Sequence, residues 1–208
     1  MKNLLGMLIA FIVLTSNVAL AANIEATTTD GKKVILYPNG TWKYKDTGSK
    51  TISTSGTTKP SKATKVLKSE KGFYELWIDP AKWRVMEKRS PIVEFQLLHS
   101  SNDAYALTIA ERLSVSLPAL KEIALANARK AAPDAKIIAE RQLVVNGAKV
   151  LNMRIDGTIK GIRFTYYGYY WVGKAGTLQF LTYTGQNLFD EFKADLADLL
   201  NGLIITKQ

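Results

Sequence analysis

The chain has no cysteine and a single histidine, His99, among its 208 residues. Without cysteine there is no disulfide framework, no thiolate metal site and no thiol nucleophile. One imidazole leaves at most a carboxylate-rich site for a hard cation, so the sequence assigns no metal and no cofactor. No glycine-rich loop leads from a strand into a helix, which removes that device for cradling phosphates. No segment repeats at a fixed period. Acidic residues are short against basic ones, 18 to 28, and the formal net charge is +10.

What is present begins with an address. Met1-Lys2-Asn3 is followed by an apolar run over residues 4–14, a polar break at Thr15-Ser16-Asn17, and Ala19-Leu20-Ala21. A basic start, a short apolar run and a small-x-small site make up a secretory signal peptide, so residues 1–21 are expected to be removed near Ala21. The run stops short of the roughly 20 apolar residues that a membrane-spanning helix needs, and no transmembrane span is expected in the mature protein. No cysteine follows to carry a lipid anchor, and no twin arginine precedes the run. The expected location is periplasmic or secreted.

Residues 22–45 read as a small β-meander. Turns at Asp30-Gly31 and Asn39-Gly40 supply the positive φ angles that tight hairpins need, between runs of β-branched and aromatic residues. Residues 46–65 are Ser, Thr, Gly and Lys with little to bury and read as a linker. Lys45, Lys50, Lys59, Lys62, Lys65 and Lys68 face only Asp46, a local net charge of +5. Self-repulsion keeps such a stretch extended and solvated; it also offers weak contact with an anionic surface. Export makes nucleic acid an unsuitable partner.

From Val66 onward the pattern is strands with two helices. Residues 73–78 alternate, Asp79-Pro80 turns, and Trp83-Arg84-Val85 opens a second strand. Residues 92–99 and 104–111 form a candidate hairpin. Ser116 caps a helix with Pro118 in its first turn, running to about Ala131 before Pro133. Residues 137–145, 148–155, 162–172 and 177–184 follow as four antiparallel strands, the first pair joined at Asn146-Gly147. Leu188, Phe189, Phe192, Leu196, Leu199 and Leu200 mark one face of a last helix, stopped at Gly202. The fold class is α+β, a central antiparallel sheet with helices packed on it.

Two resemblances accompany this reading. Asp30-Gly31, Val34, Leu36 and Asn39-Gly40-Thr41-Trp42 resemble a hairpin that follows the signal peptide in uncharacterised envelope proteins. Residues 66–208 resemble the Mog1/PsbP-like superfamily, through the step Pro80, Trp83, Val85, the central helix, the run of long strands, and the passage from Tyr183 through Gln186-Asn187-Leu188-Phe189 into a terminal helix. The resemblance implies an αβα arrangement and a non-enzymatic accessory or binding module; the expected export makes an unknown envelope protein or glycan the partner class.

Candidate chemistry is sparse. His99 lies at a strand end beside Ser100 and Ser101, too close in sequence for the usual triad geometry, and is read as a surface or strand-end residue. Glu75, Glu94, Glu111 and Glu140 alternate with apolar neighbours on strands; paired across a cleft, two such carboxylates would make a small envelope hydrolase, the alternative reading. No residue is assigned as catalytic. The densest feature is residues 164–171, Phe-Thr-Tyr-Tyr-Gly-Tyr-Tyr-Trp. Alternation puts Phe164, Tyr166 and Tyr170 on one face and Tyr167, Tyr169 and Trp171 on the other, unless a bulge at Gly168 mixes them. Such rings usually fill a core or pair across strands. If exposed, Tyr167, Tyr169 and Trp171 form a stacking platform, and they are the candidate binding residues.

Overall fold

The computed structural model describes residues 24–27, 33–36, 42–44, 56–88 and 90–207. The expected leader, the two N-terminal turns and residues 45–55 of the basic stretch lie outside the described residues. The chain divides into two compact units, Met1–Lys50 and Thr51–Gln208. In the first, β1 (Ile24–Thr27), β2 (Lys33–Leu36) and β3 (Trp42–Tyr44) pair antiparallel in chain order, as the turn signals predict.

In the second unit, β4 (Lys65–Lys68), β5 (Tyr74–Ile78), β6 (Trp83–Met86), β7 (Gln96–His99) and β8 (Ala104–Glu111) precede α1 (Leu117–Ala131). Then come β9 (Lys136–Val145), β10 (Ala148–Ile159), β11 (Ile162–Gly173), β12 (Gly176–Gly185), α2 (Phe189–Asn201) and β13 (Leu203–Ile205). The seven-stranded main sheet runs β6-β7-β8-β12-β11-β10-β9 with every neighbour antiparallel. A three-stranded sheet, β13-β5-β4, is separate from it. Among the described residues no helix is long and apolar enough to cross a membrane.

Each face of the main sheet has its own core. Leu120, Ala124, Leu125 and Ala128 of α1 close over Leu151, Met153, Ile155, Phe164 and Tyr170. On the opposite face, Phe189, Phe192, Leu196, Leu199 and Leu200 of α2, with Phe73, Leu76 and Ile78, close over Val150, Tyr167, Tyr169, Trp171, Leu178 and Phe180. Strand alternation places these sets on opposite faces, and two covered faces explain why β11 is aromatic on both.

Local signals act as expected at α1, where the Ser116 hydroxyl accepts from Ala119 N at 3.3 Å and proline occupies the first turn. Gly202 ends α2 for a different reason from the left-handed cap its position suggests. Its φ is −74°, and the Trp77 carbonyl stands where a side chain would begin. Trp77 N also donates to Gly202 O at 2.9 Å, so the glycine lets two backbones meet.

The linker expectation changes where the structure is described. Thr57 makes a parallel bridge to Val145, donating to Val144 O at 3.0 Å and accepting from Asn146 N at 2.9 Å. Lys59 N then donates to Asn146 Oδ1 at 2.8 Å, and Ala63 is buried. Residues 57–63 are therefore tied to the main unit by backbone and one asparagine. Backbone pairing needs no apolar side chains, so composition could not reveal it.

Candidate functional site

On one face of the sheet the covering helix α2 packs mainly on β11 and β12, and reaches β10 at Val150 and, through Phe189, at Arg154. On β10 the residues of that face change from apolar to polar: Val150 is followed by Asn152, Arg154 and Asp156. The register sets Arg141 beside Asn152 and Ala139 beside Arg154, with Tyr167 on Arg154's other side. Ala139 is short, and next to it the face sinks into a groove of about 300 Å³, closed on the helix side by Phe189 and Lys193.

Arg154 is held in place from two directions. Its Nε and Nη2 donate to Asp156 Oδ1 and Oδ2, both at 2.9 Å. The guanidinium also lies over the Phe189 ring, 4.3 Å from its centre. Asp156 is buried and accepts further bonds from Thr165 Oγ1 at 2.8 Å and Gln186 Nε2 at 2.6 Å. Burial would push the Asp156 carboxyl up, but Arg154, Thr165 and Gln186 outweigh it and hold it below the ordinary carboxylate range. The same contact with Asp156 raises Arg154, whose charge is secure.

Asn152 forms the buried floor, donating to Gly168 O at 3.0 Å and facing Arg141 Nε at 3.4 Å with its oxygen. The one acid of β9, Glu140, also lines the groove, but its carboxylate is paired with Lys121 of α1. The groove therefore offers cationic and hydroxyl donors from Arg141, Arg154, Lys193 and Tyr167 beside the apolar side chains of Ile138 and Ala139. It can hold an anion; it has no carboxylate pair for acid–base work.

The condition for an aromatic platform, exposure, is not met. Tyr167, Tyr169 and Trp171 do share a face, and β11 passes Gly168 without a register shift against either neighbour. All three are buried, because α2 and Phe73 cover that face. Trp171 stacks on Phe73 at 5.6 Å, Tyr169 donates to Asn201 Oδ1 at 2.7 Å, and Tyr167 meets Phe189 edge-on at 5.6 Å. Tyr167 alone of the three lines the groove. Arg141, Asn152, Arg154 and Lys193 escaped the sequence reading; the one available signal was three successive polar residues on one face of β10.

His99 does end a strand, β7, but lies in the interior rather than at the surface. It is 6% exposed, set between the rings of Trp83 and Phe192 at 5.0 and 5.2 Å. Ser101 does reach it: Oγ lies 2.9 Å from Nδ1, and Nε2 lies 3.2 Å from Asp195 Oδ2. The Ser101 amide donates to the same Nδ1 at 3.2 Å, and Asn102 N to His99 O at 2.9 Å. The imidazole thus locks the turn after β7, with Nδ1 as acceptor.

A second hollow, also about 300 Å³, lies between residues 60–63, Trp83 and α2 and carries Asp79, Asp195 and Asp198 with Lys62 and Lys82. Lys82 binds Asp195, and Asp79 accepts from Ala81 N at 2.8 Å. Of the four candidate carboxylates, Glu94 lies just before β7 rather than on a strand, and is buried and taken up by Ser69 Oγ, Glu70 N and Tyr74 Oη at 2.8, 2.6 and 2.7 Å. Among the described residues no group of three or more His, Asp or Glu is placed to hold a metal ion.

No family model matches the chain, and no curated protein matches it. Solved structures do. Cyanobacterial PsbP (CyanoP) from Synechocystis sp. PCC 6803 superimposes with a TM-score of 0.52 at 11% identity, over 68% of this chain and 91% of that one. This likeness shows a PsbP-like fold, the architecture that the order of elements implies. LpqN of Mycobacterium tuberculosis, involved in cell envelope biogenesis, gives 0.48 at 14% identity, over 68% of this chain and 90% of its own. PA94 from Pseudomonas aeruginosa, of unknown function, gives 0.44 at 12%, over 69% and 98%.

Proposed function

We propose that this chain is an exported, non-catalytic accessory module of the bacterial cell envelope that holds a partner, protein or glycan, through the groove between β9, β10, β11 and α2. The observation that carries this reading is the convergence of Arg141, Arg154, Lys193 and Tyr167 on one hollow whose nearest buried acid, Asp156, is already fully engaged. Donors without an opposing base suit recognition better than hydrolysis. The leader ending at Ala19-Leu20-Ala21 supports export, and the basic stretch that contains Lys45 and Lys68 supports weak contact with anionic surfaces. The test combines fractionation with capture. A C-terminally tagged chain should be recovered from the periplasm or medium with its N-terminus near Ala22, and should retain an envelope component that Arg141→Glu with Lys193→Glu releases. An intact Met1 in the membrane fraction removes export; capture indifferent to the double variant removes the groove.

A small envelope hydrolase working through paired carboxylates is the second reading, and Asp79, Asp195 and Asp198 around the second hollow favour it. It requires glycan cleavage by the purified chain that Asp198→Asn abolishes without lowering the melting temperature.

A further inference from the structure

We propose that the groove is a site for an organic anion, a carboxylate or phosphate carried on a short apolar arm, with Arg154 as its fixed anchor and Arg141 and Lys193 as its flanking cations. The inference rests on the binding-module reading and names the ligand class of that site.

The anchor is built before any ligand arrives. Asp156 occupies one edge of the Arg154 guanidinium through two 2.9 Å bonds, and the Phe189 ring covers one face. Among the described residues Nη1 has no partner. A guanidinium fixed on one edge keeps its other donors oriented, and an oxyanion meeting them does not have to order the side chain. The Tyr167 hydroxyl is likewise without a hydrogen-bond partner among the described residues, although its ring is buried.

The charge balance favours an anion. Arg141, Arg154 and Lys193 stand against Asp156, buried behind Arg154, and Asp190, whose charge is felt by Arg154 from the start of α2. One positive charge is left in excess, and Glu140 does not cancel it, being paired with Lys121 of α1. The arm is argued from the walls. Ile138 and the short Ala139, both exposed, give an apolar surface next to the donors, and about 300 Å³ is the small end of ligand clefts, enough for a head group and a few methylenes. Carboxylate and phosphate share the needed chemistry.

Titration of the full chain by NMR, following the Gly168 amide and the Asn152 side-chain amide, tests the site. Octanoate and octyl phosphate should each shift these signals saturably, and their relative affinity identifies the preferred head group. Octanol and octylamine should not shift them. Arg141→Ala combined with Lys193→Ala should weaken binding about tenfold or more, because two exposed donors to a charged group are lost. Lys174→Ala, at the far end of β11, should leave binding unchanged. Saturation by neither anion, equal binding of octylamine, or indifference to the double variant overturns the site, and inorganic phosphate binding as tightly as octyl phosphate overturns the apolar arm. Those outcomes leave export and capture untouched, whereas a chain retained in the cytoplasm that still binds octyl phosphate overturns the envelope reading and keeps the site.

Discussion

Arg154 grips Asp156, two residues along the same strand, through a pair of 2.9 Å bonds on one face of β10. Residues two apart on a strand point the same way, so the pair is local in sequence yet buried under the start of α2. The folded state holds the Asp156 carboxyl below its unfolded value of about 3.9. Its contribution is therefore fully present above that value and is lost as pH falls through the lower, folded one. Asp156→Asn should cost about 2–4 kcal/mol at pH 7, leaving Arg154 half-buried without its counter-charge. Urea unfolding at pH 7 and pH 3 checks this: the variant should lose less stability on acidification than the parent, and equal acid losses would rule the pair out as a source of acid sensitivity.

Trp171 is 4% exposed and stacked on Phe73. Trp171→Ala should lower stability by roughly 3–5 kcal/mol, read as an early thermal melt. A melt within a degree or two of the parent would restore the exposed-platform reading.

Gly168 holds its place by contact, since β11 runs through it without a bulge. A Cβ there would lie 2.7 Å from Leu181 Cδ2 and 2.7 Å from the Phe180 carbonyl oxygen. Leucine can rotate away; a backbone carbonyl within the sheet cannot. Gly168→Ala should cost about 1–3 kcal/mol by overpacking, measured by chemical denaturation. A neutral or stabilising result would mean that β11 and β12 separate more easily than their register suggests.

Asn146 joins three parts of the main unit. At φ 46° in the β9–β10 turn, it accepts from Lys59 N at 2.8 Å and donates to Asn201 O and Leu203 O at 2.8 and 2.7 Å. Asn146→Gly keeps the backbone conformation and removes all three bonds. Trypsin should then cut after Lys62 several-fold faster, as residues 57–63 lose their tie to the turn. Unchanged cleavage would show that the Thr57 bridge alone holds the segment.

Much of the frame was legible because its causes are local. Ser116 and Pro118 start α1 by capping chemistry, the Asn146-Gly147 turn sets its hairpin, and the alternation of β11 assigns Tyr167, Tyr169 and Trp171 to one face and Phe164 and Tyr170 to the other. The separate sheet of β13, β5 and β4 was not legible, because β13 is three residues long and pairs with a strand more than a hundred positions earlier. Nor was the bridge of Thr57 to Val145, which involves backbone groups that every residue carries.

The site divides the same way. Sequence alone determined that the chain has no thiol chemistry and which aromatic rings share a face, because composition and two-residue periodicity belong to the chain itself. Tertiary structure decided which faces are covered. The position of α2 over β11 and β12 made the aromatic face core rather than platform, and where Phe189 at its start meets Arg154 the polar end of that face is left with Arg141, Asn152 and Arg154 as the rim and floor of a groove. Periodicity says that a side chain points to one side of a sheet; what waits on that side depends on where a helix from the far end of the chain comes to rest.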